Sequence, residues 1–268
     1  MMELPRSTTG RSPIDVARDC GVQASRIIRD GFGRAGVSHV KGRGNVVTET
    51  DFAVERAVTE ILRAEYPEHA ILSEETAAGT RSDGWMWVVD PIDGTKNFSQ
   101  GIPHVGSNVA LCRANEPIVA LTVQPVMDWT FTAVKGQGAW FDGQPMHVSS
   151  RECLADSVVA IDMGYVGDRG RKQLELALHL WPGMQSLRTS GSAALGFAFV
   201  ASSRWDIYVH SDLQPWDSAP GLLLVREAGG VCLDRDGSQA TIFSECVVAT
   251  NAAIAADFQR KAGHLPWR

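Results

Sequence analysis

The chain has 268 residues, of which 44% are hydrophobic and 21% charged, and its formal net charge is −6. This composition is that of a globular protein. The length suits a single domain over 1–268, with possible halves at 1–150 and 151–268. The negative charge argues against a nucleic-acid partner, because nucleic-acid binders usually present a basic face.

Cysteine usage and apolar runs indicate the compartment. The five cysteines are scattered and form no C-x-x-C pair, so we predict a reduced, cytoplasmic protein without cysteine-bound zinc. The segment 1–13 lacks the apolar stretch of a secretory signal. No apolar run approaches the ~18 residues of a membrane-spanning helix, so no membrane partner is expected.

The first half is predicted to contain two helices and several strands. Ser12-Pro13 is typical of a helix start, and apolar residues at helical spacing predict a helix over 14–32. A glycine-rich loop is expected at 41–47 and a second helix over 51–66. The predicted strands lie at 70–72, 86–89, 106–113, 117–124 and 129–135. Pro91 is expected to end the strand at 86–89, because proline has no N–H to donate to a neighbouring strand.

The second half mixes helices and strands again. The predicted helices span 171–181, 191–202, 217–228 and a last segment that begins near 252. The predicted strands span 156–161, 205–209, 231–233 and 247–249. Helices and strands that alternate in both halves favour a layered α/β fold.

The most informative segment is Asp90-Pro-Ile-Asp-Gly-Thr-Lys-Asn-Phe98, which follows an apolar run. Asp90 and Asp93 fall at the end of the predicted strand, and Gly94 lets the backbone approach a ligand closely. The N–H groups of residues 94–96 can point at an anion. Carboxylates are ligands that Mg²⁺ prefers and amides suit a phosphate, so the segment predicts a site for both.

Four more acidic residues end a predicted strand or open a helix: Asp51, Glu74, Glu75 and Asp217. With the two aspartates of the preceding segment they could hold two or three divalent ions, and paired ions stabilise the entering and leaving oxygens of phosphoryl transfer. Taken alone, Asp51 and Asp217 suit helix caps, and the two glutamates suit an exposed surface.

These residues resemble the motifs of the inositol monophosphatase family, whose members are Mg²⁺-dependent, lithium-sensitive phosphatases. The first motif is the segment from Asp90 to Phe98. The second is Trp216-Asp-Ser-Ala-Pro-Gly221, followed by Glu227-Ala-Gly-Gly230. Order and spacing agree over roughly 13–262. The resemblance implies the αβαβα five-layer sandwich of the sugar phosphatases and a homodimer.

The resemblance also implies two to three Mg²⁺ ions per site. Glu74, Asp90 and the backbone carbonyl of Ile92 would bind the first ion. Asp90 would bridge to the second ion, which Asp93 and Asp217 would also bind. A third ion would share Glu74.

Further residues would serve catalysis and the substrate. Asp51 and Thr95 would hold and activate the attacking water, with Glu75 as support. The amides of Gly94 and Thr95 would bind the phosphate. The alcohol side would be lined by Gly191, Ser192 and Ala193.

The sequence departs from the family at one substrate position. Many inositol phosphatases have a glutamate seven residues before the aspartate of the second motif, and this chain has His210. The sequence leaves open whether His210 contacts the substrate or is merely exposed at a strand end. Arg188 is likewise either a substrate contact or a surface charge.

The expected activity is hydrolysis of a small polyol phosphate by a metal-activated water, with inositol 1-phosphate as the first candidate. Histidinol phosphate, fructose 1,6-bisphosphate and nucleotide 3′-phosphates are alternative substrates. A regulatory binding protein on the same scaffold is the alternative outside the enzyme class.

Overall fold

The computed structural model describes residues 3–34, 37–42, 45–75 and 82–265. Its helices are α1 (Pro13–Gly31), α2 (Glu49–Glu65), α3 (Thr95–Ser99), α4 (Gly167–Leu180), α5 (Ala193–Ala201), α6 (Pro215–Glu227) and α7 (Ala252–Ala262). Its strands are β1 (Val37–Gly42), β2 (Asn45–Thr48), β3 (Ala70–Ser73), β4 (Trp85–Asp93), β5 (Gly106–Arg113), β6 (Glu116–Gln124), β7 (Trp129–Val134), β8 (Ala139–Phe141), β9 (Gln144–Met146), β10 (Val158–Asp162), β11 (Ser186–Arg188), β12 (Ile207–His210), β13 (Val231–Asp234) and β14 (Val247–Thr250).

The larger sheet has seven strands in the order β3-β4-β5-β6-β7-β8-β9, and β3 runs parallel to β4 while the other pairs are antiparallel. Alternate side chains of a strand point to opposite faces. Trp87 and Val89 of β4 therefore pack with α1 and α2 in one buried cluster. Met86 and Val88 pack on the other face with α5 and α6.

The smaller sheet has five strands in the order β11-β10-β12-β14-β13. Ala160 of β10 and Tyr208 of β12 belong to the same buried cluster as α5 and α6, so the two sheets share this core. Val159 and Ile161 face the opposite way and pack with α4 and α7. Over the described residues the layers are α1/α2, the larger sheet, α5/α6, the smaller sheet and α4/α7, which confirms the predicted αβαβα sandwich.

Two expectations about local structure were wrong. Strand β4 does not end at Pro91 but continues to Asp93, and its pairing with β5 shifts register between Asp90 and Asp93. Proline is tolerated at such a bulge because no ladder hydrogen bond is required there. The expected loop at 41–47 falls largely within β1 and β2, which pair antiparallel.

The remaining differences concern short elements. Strands β8, β9 and β11 and helix α3 have three to five residues each, which is too short for a hydrophobic period to show. Among the described residues, no helix combines the length and the hydropathy that crossing a membrane requires.

Candidate active site

Three acidic side chains meet where β4 ends beside α6. Asp90 and Asp93 lie at the bulged end of β4, and Asp217 lies in the first turn of α6. One carboxylate oxygen of each lies within 4.8 Å of the others. Asp90 is 1% exposed and Asp93 8%. Buried like charges destabilise the fold unless a cation binds between them.

Asp90 has a carboxylate oxygen that the protein does not satisfy. Its Oδ1 is buried and accepts no hydrogen bond from the described residues. Burial raises the pKa of Asp90 well above its ordinary value, and the charges of Glu74, Asp93 and Asp217 raise it further. Buried acceptors without a donor are rare in folded proteins, and a bound cation would satisfy this one.

Asp93 is held by the N-terminus of α5. Its carboxylate accepts hydrogen bonds from Ser192 Oγ at 2.7 Å, from the backbone N–H of Ala193 at 3.2 Å and from that of Ala194. Burial raises the pKa of Asp93 to about 6, and these hydrogen bonds limit the rise. An ionised carboxylate has about four acceptor positions, so one is left for an ion.

Asp51 and Asp217 are the third residues of α2 and α6 and cap these helices. Asp51 Oδ2 accepts from the backbone N–H and the hydroxyl of Thr48, at 2.9 and 2.6 Å. Asp217 Oδ2 accepts from the backbone N–H of Gln214 at 2.7 Å. Burial raises the pKa of Asp217 well above its ordinary value, and the charge of Asp93 adds to the shift. Capping thus orients both carboxylates, and each still has an oxygen for the site.

Thr95 connects Asp51 with the end of β4. Its Oγ1 lies 2.9 Å from Asp51 Oδ1 and 2.9 Å from the carbonyl oxygen of Ile92. A hydroxyl has one proton and two lone pairs, so Thr95 can donate to Asp51 and accept from a water. Burial raises the pKa of Asp51, and the hydrogen bonds from Thr48 and Thr95 oppose the rise.

Gly94 directly precedes α3 as its N-cap and has the left-handed conformation, with φ at +85°. A Cβ at this position would lie 2.9 Å from the carbonyl oxygen of His104 and 3.0 Å from that of Gly191. Only glycine adopts this positive φ and fits beside the two carbonyl oxygens without strain. The first N–H groups of a helix have no partner within it, and here they belong to residues that line a cleft.

Strand β3 brings two glutamates to the same region. Glu74 lines the cleft, and its charge is among those that raise the pKa of Asp90. The backbone N–H of Glu75 donates to Glu55 Oε2 at 3.0 Å, and this oxygen also accepts from the hydroxyl of Ser73. The buried Glu55 of α2 therefore fixes the end of β3 beside the acidic cluster.

The cleft has a volume of about 650 Å³. The predicted site residues that line it are Glu74, Asp90, Ile92, Asp93, Gly94, Thr95, Gly191, Ser192, Ala193, His210 and Asp217. Arg188 does not line the cleft. It is exposed on the edge strand β11, and its guanidinium donates to the carbonyl oxygen of Leu187 at 2.8 Å. Arg188 therefore lies outside the group of predicted site residues that line the cleft.

His210 is buried at the end of β12, with 8% of its surface exposed, so the exposed alternative is wrong. Its Nδ1 accepts from the backbone N–H of Asp212 at 3.1 Å, which places the proton of the neutral ring on Nε2. Burial lowers the pKa of His210, and the charges of Asp162 and Asp212 oppose this shift. The side chain is therefore a neutral donor in the cleft wall.

The potential metal ligands are all oxygen atoms, from carboxylates and one backbone carbonyl, and this donor set suits a hard divalent ion. A family model described as the inositol monophosphatase family matches residues 11–263. The chain belongs to the inositol monophosphatase family. It is therefore grouped with phosphoric monoester hydrolases.

Relatives within this family cover most of the chain. Inositol monophosphatase 2 of Solanum lycopersicum is 36% identical over 254 residues, which cover 90% of this chain and 94% of that protein. Nus factor SuhB of Haemophilus influenzae is 33% identical over 259 residues, which cover 92% and 94%. The solved inositol monophosphatase of Anabaena is 30% identical, with a TM-score of 0.83 and coverage of 94% and 96%. The fold is thus shared along the whole family match.

Asp162 and Asn97 also line the cleft of this inositol monophosphatase family member, and the sequence did not single out either of them. Asp162 accepts from the backbone N–H groups of Ser190 and Gly191 at 2.9 and 3.0 Å, and from the hydroxyl of Tyr208 at 3.0 Å. Asn97 Nδ2 donates to the carbonyl oxygen of Ser190 at 2.7 Å. Asp162 directly follows an apolar run, which is the same signal that drew attention to Asp90.

Proposed function

We propose that the protein is a Mg²⁺-dependent phosphatase that hydrolyses a small polyol phosphate monoester, with inositol 1-phosphate as the first substrate to test. The observation that carries the proposal is the cluster of Asp90, Asp93 and Asp217, with three raised pKa values and one buried oxygen that has no partner in the described part of the chain. The cluster adjoins Gly94 and Thr95, whose backbone suits a phosphate.

Two to three ions would be held in the arrangement that the resemblance implies. Glu74, Asp90 and the carbonyl of Ile92 would hold one ion. Asp90, Asp93 and Asp217 would hold a second, and a third would share Glu74. When bound, such ions lower the pKa of a water and stabilise charge on the entering and leaving oxygens.

The chain's own residues orient the attacking water and accept its proton. Thr95 Oγ1 accepts a hydrogen bond from the water while it donates to Asp51 Oδ1. Asp51, whose pKa is raised by burial, is then better matched to proton transfer near neutral pH than an ordinary carboxylate. Glu75 would support this arrangement from the end of β3. The amides of Gly94 and Thr95 would bind the phosphate oxygens.

The alcohol side would be lined by Gly191, Ser192, Ala193 and His210. A hydroxyl of a polyol can accept a hydrogen bond from the neutral Nε2–H of His210. This contact supports a polyol substrate, and histidinol phosphate, fructose 1,6-bisphosphate and nucleotide 3′-phosphates are the alternatives to test beside it.

The proposal has three further parts. Family membership supports inhibition by lithium and assembly as a homodimer. The cysteines are free, and four of the five are buried, which supports a reduced, cytoplasmic protein. Inhibition curves in LiCl and light scattering of the purified protein test the first two parts.

A second candidate function is regulation by binding on the same scaffold. The observation that favours it is the relative named Nus factor SuhB, a name that does not describe hydrolysis. The retained cluster of three aspartates favours the enzyme, because a binding scaffold has no need of an acidic cluster with raised pKa values.

The test is phosphate release from a panel of esters with MgCl₂, using wild type and Asp93→Asn. The panel contains inositol 1-phosphate, histidinol phosphate, fructose 1,6-bisphosphate and 3′-phosphoadenosine 5′-phosphate. We expect Mg²⁺-dependent release that is strongest for inositol 1-phosphate and lost in the variant. Release that is equal in wild type and variant, or absent for every ester, would contradict the proposal and favour the binding role.

A further inference from the structure

The segment 163–166 between β10 and α4 contributes three large apolar side chains to the lining of the cleft that also contains the acidic cluster. Met163, Tyr165 and Val166 all line the cleft. They are 38%, 49% and 47% exposed. Contiguous exposed apolar surface at the rim of a cleft is typical of a ligand-binding wall. Neither the motifs nor the proposed chemistry uses these residues.

The segment is fixed in place by Asp212. Asp212 Oδ2 accepts from the backbone N–H groups of Tyr165 and Val166 at 2.8 and 3.2 Å, and its Oδ1 accepts from Arg169 at 3.2 Å. Gly164 has φ at +64°, and a Cβ there would lie 2.3 Å from Asp212 Cβ. Because the backbone is held before any ligand binds, little ordering would be needed for the apolar side chains to contact one.

Tyr165 lies close enough to the acidic cluster to be influenced by its charges. Burial raises the pKa of the Tyr165 phenol to about 12, and the charges of Asp93 and Glu74 raise it further. Tyr165 lines the same cleft as Glu74 and Asp93, so the ring shares the cleft in which the phosphate would bind, and its hydroxyl keeps its proton at neutral pH. A group attached to the phosphate through the ester oxygen would extend along this wall.

We infer that Tyr165, with Met163 and Val166, determines specificity by packing against a ring in the alcohol of the substrate. Tyr165 would then favour, among the substrates of the proposed reaction, those whose alcohol is a ring over those whose alcohol is an open chain. This inference rests on the proposed function for the identity of the ester. An aromatic side chain offers a large, rigid apolar face, which suits packing against the apolar face of a ring.

The experiment compares Tyr165→Ala and Tyr165→Phe with the control Leu178→Ala, a change at an exposed apolar residue of α4 that does not line the cleft. The substrates are inositol 1-phosphate, adenosine 2′-monophosphate and the open-chain glycerol 2-phosphate. The readout is the ratio of kcat/KM for each ring-bearing ester to kcat/KM for glycerol 2-phosphate. Binding of the same esters to Ca²⁺-loaded protein is measured by calorimetry, with a check that they stay intact.

We expect Tyr165→Ala to lower the ratio about three- to tenfold, the range of an aromatic contact, and Tyr165→Phe and Leu178→Ala to leave it nearly unchanged. The ester with the larger loss identifies the cyclitol or the nucleoside. Equal losses for ring-bearing and open-chain esters, or the same loss in Tyr165→Phe, would overturn the inference. If wild type hydrolyses no ester, the proposed function fails, and the calorimetric ratios still decide whether Tyr165 selects rings.

Discussion

The two ends of the cleft use carboxylates in opposite ways. At the metal end, Asp90 has a buried oxygen that no described residue donates to, and its pKa is raised well above the ordinary value. At the alcohol end, Asp162 accepts four hydrogen bonds from Ser190, Gly191 and Tyr208, and Asp212 accepts from the 165–166 backbone and Arg169.

Asp90, Asp162 and Asp212 are the same type of residue, and they differ in the hydrogen-bond donors around their carboxylates. The lone pairs of Asp90 to which no described residue donates suit a cation, whereas Asp162, which accepts from several donors, anchors the backbone that donates to it. The metal end is therefore expected to control turnover, and the alcohol end to control which substrate is bound. Substitutions at the two ends should differ in size and in kind.

The largest effect is expected for Asp90→Asn. We expect kcat/KM to fall more than about a hundredfold, since even the groups that merely orient metal ligands are worth about 10–100-fold. In EDTA near pH 8 the same variant should melt at a higher temperature than wild type, because it removes a buried charge. Phosphate release and thermal melts check the two expectations.

Asp206→Asn is the matched control for Asp90→Asn. Asp206 is as buried as Asp90, but it accepts from Val158 and pairs with Arg151. This variant should lose thermal stability and keep its dependence on Mg²⁺. A loss of stability in Asp90→Asn like that in Asp206→Asn would show that the two carboxylates serve the same purpose.

Thr95→Ala should have the next largest effect. It removes the hydroxyl that lies 2.9 Å from Asp51 Oδ1 and would orient the water, so kcat should fall by about a hundredfold, within the range for a lost proton-transfer contact. KM should change little. Thr95→Ser keeps the hydroxyl and should restore most of kcat; a serine variant as slow as alanine would contradict this role.

The sequence is informative about the metal end because four of its residues lie in one short segment. Asp90, Asp93, Gly94 and Thr95 lie within six positions, so one motif predicts their proximity. Most of the longer helices and strands were also predictable, because elements of sufficient length show their periods, whereas the order of the five layers was implied only by the family resemblance. Pro91 misled the prediction of the strand end, since the bulge that tolerates it depends on pairing with β5.

The alcohol end was not predictable in the same way. It is assembled from segments near 162, 190 and 210, which parallel pairing of β10 with β11 and β12 brings together. Asp162 becomes an anchor only because Tyr208 and the 190–191 backbone face it. No spacing in the sequence encodes that arrangement, and Arg188, chosen by its nearness in sequence to Gly191, lies outside the cleft.

The raised pKa values at the metal end also predict how pH and Mg²⁺ affect the stability of the fold. The pKa of Asp93 is raised to about 6, and those of Asp90 and Asp217 are also raised. A carboxyl whose pKa is higher in the folded state stabilises the protein below its unfolded pKa, and this stabilisation is lost as pH rises through the folded value. In EDTA, Tm should therefore fall by several degrees between about pH 5 and about pH 7.5.

Addition of MgCl₂ should reverse this fall, and should raise Tm more at the higher pH because protons no longer compete for the cluster. Scanning calorimetry with and without MgCl₂ at both pH values checks the sign. The control is Asp90→Asn, which should respond less to both variables. A Tm that is independent of pH and of Mg²⁺ would remove the distinction between the two ends of the cleft.

Asp162→Ala should have a smaller effect of a different kind. The 190–193 loop loses the acceptor of its backbone N–H groups, so we expect kcat/KM to fall about tenfold, mainly through KM. Tyr208→Phe removes only one hydroxyl from the same carboxylate and should cost about twofold. Steady-state kinetics separates the effect on KM from the effect on kcat. A loss in kcat alone would place Asp162 with the metal end instead.

The smallest effect is expected for Arg188→Ala. The side chain is exposed on an edge strand, and its guanidinium donates to a backbone carbonyl one residue away, so kcat/KM should stay within about twofold for every ester, as for most surface changes. Its counterpart inside the cleft is His210→Ala, which removes a buried donor and should raise KM. If Arg188→Ala raised KM as much as His210→Ala, the guanidinium would have to turn toward the substrate on binding. The alcohol end would then be completed by its ligand, whereas the metal end is in place beforehand.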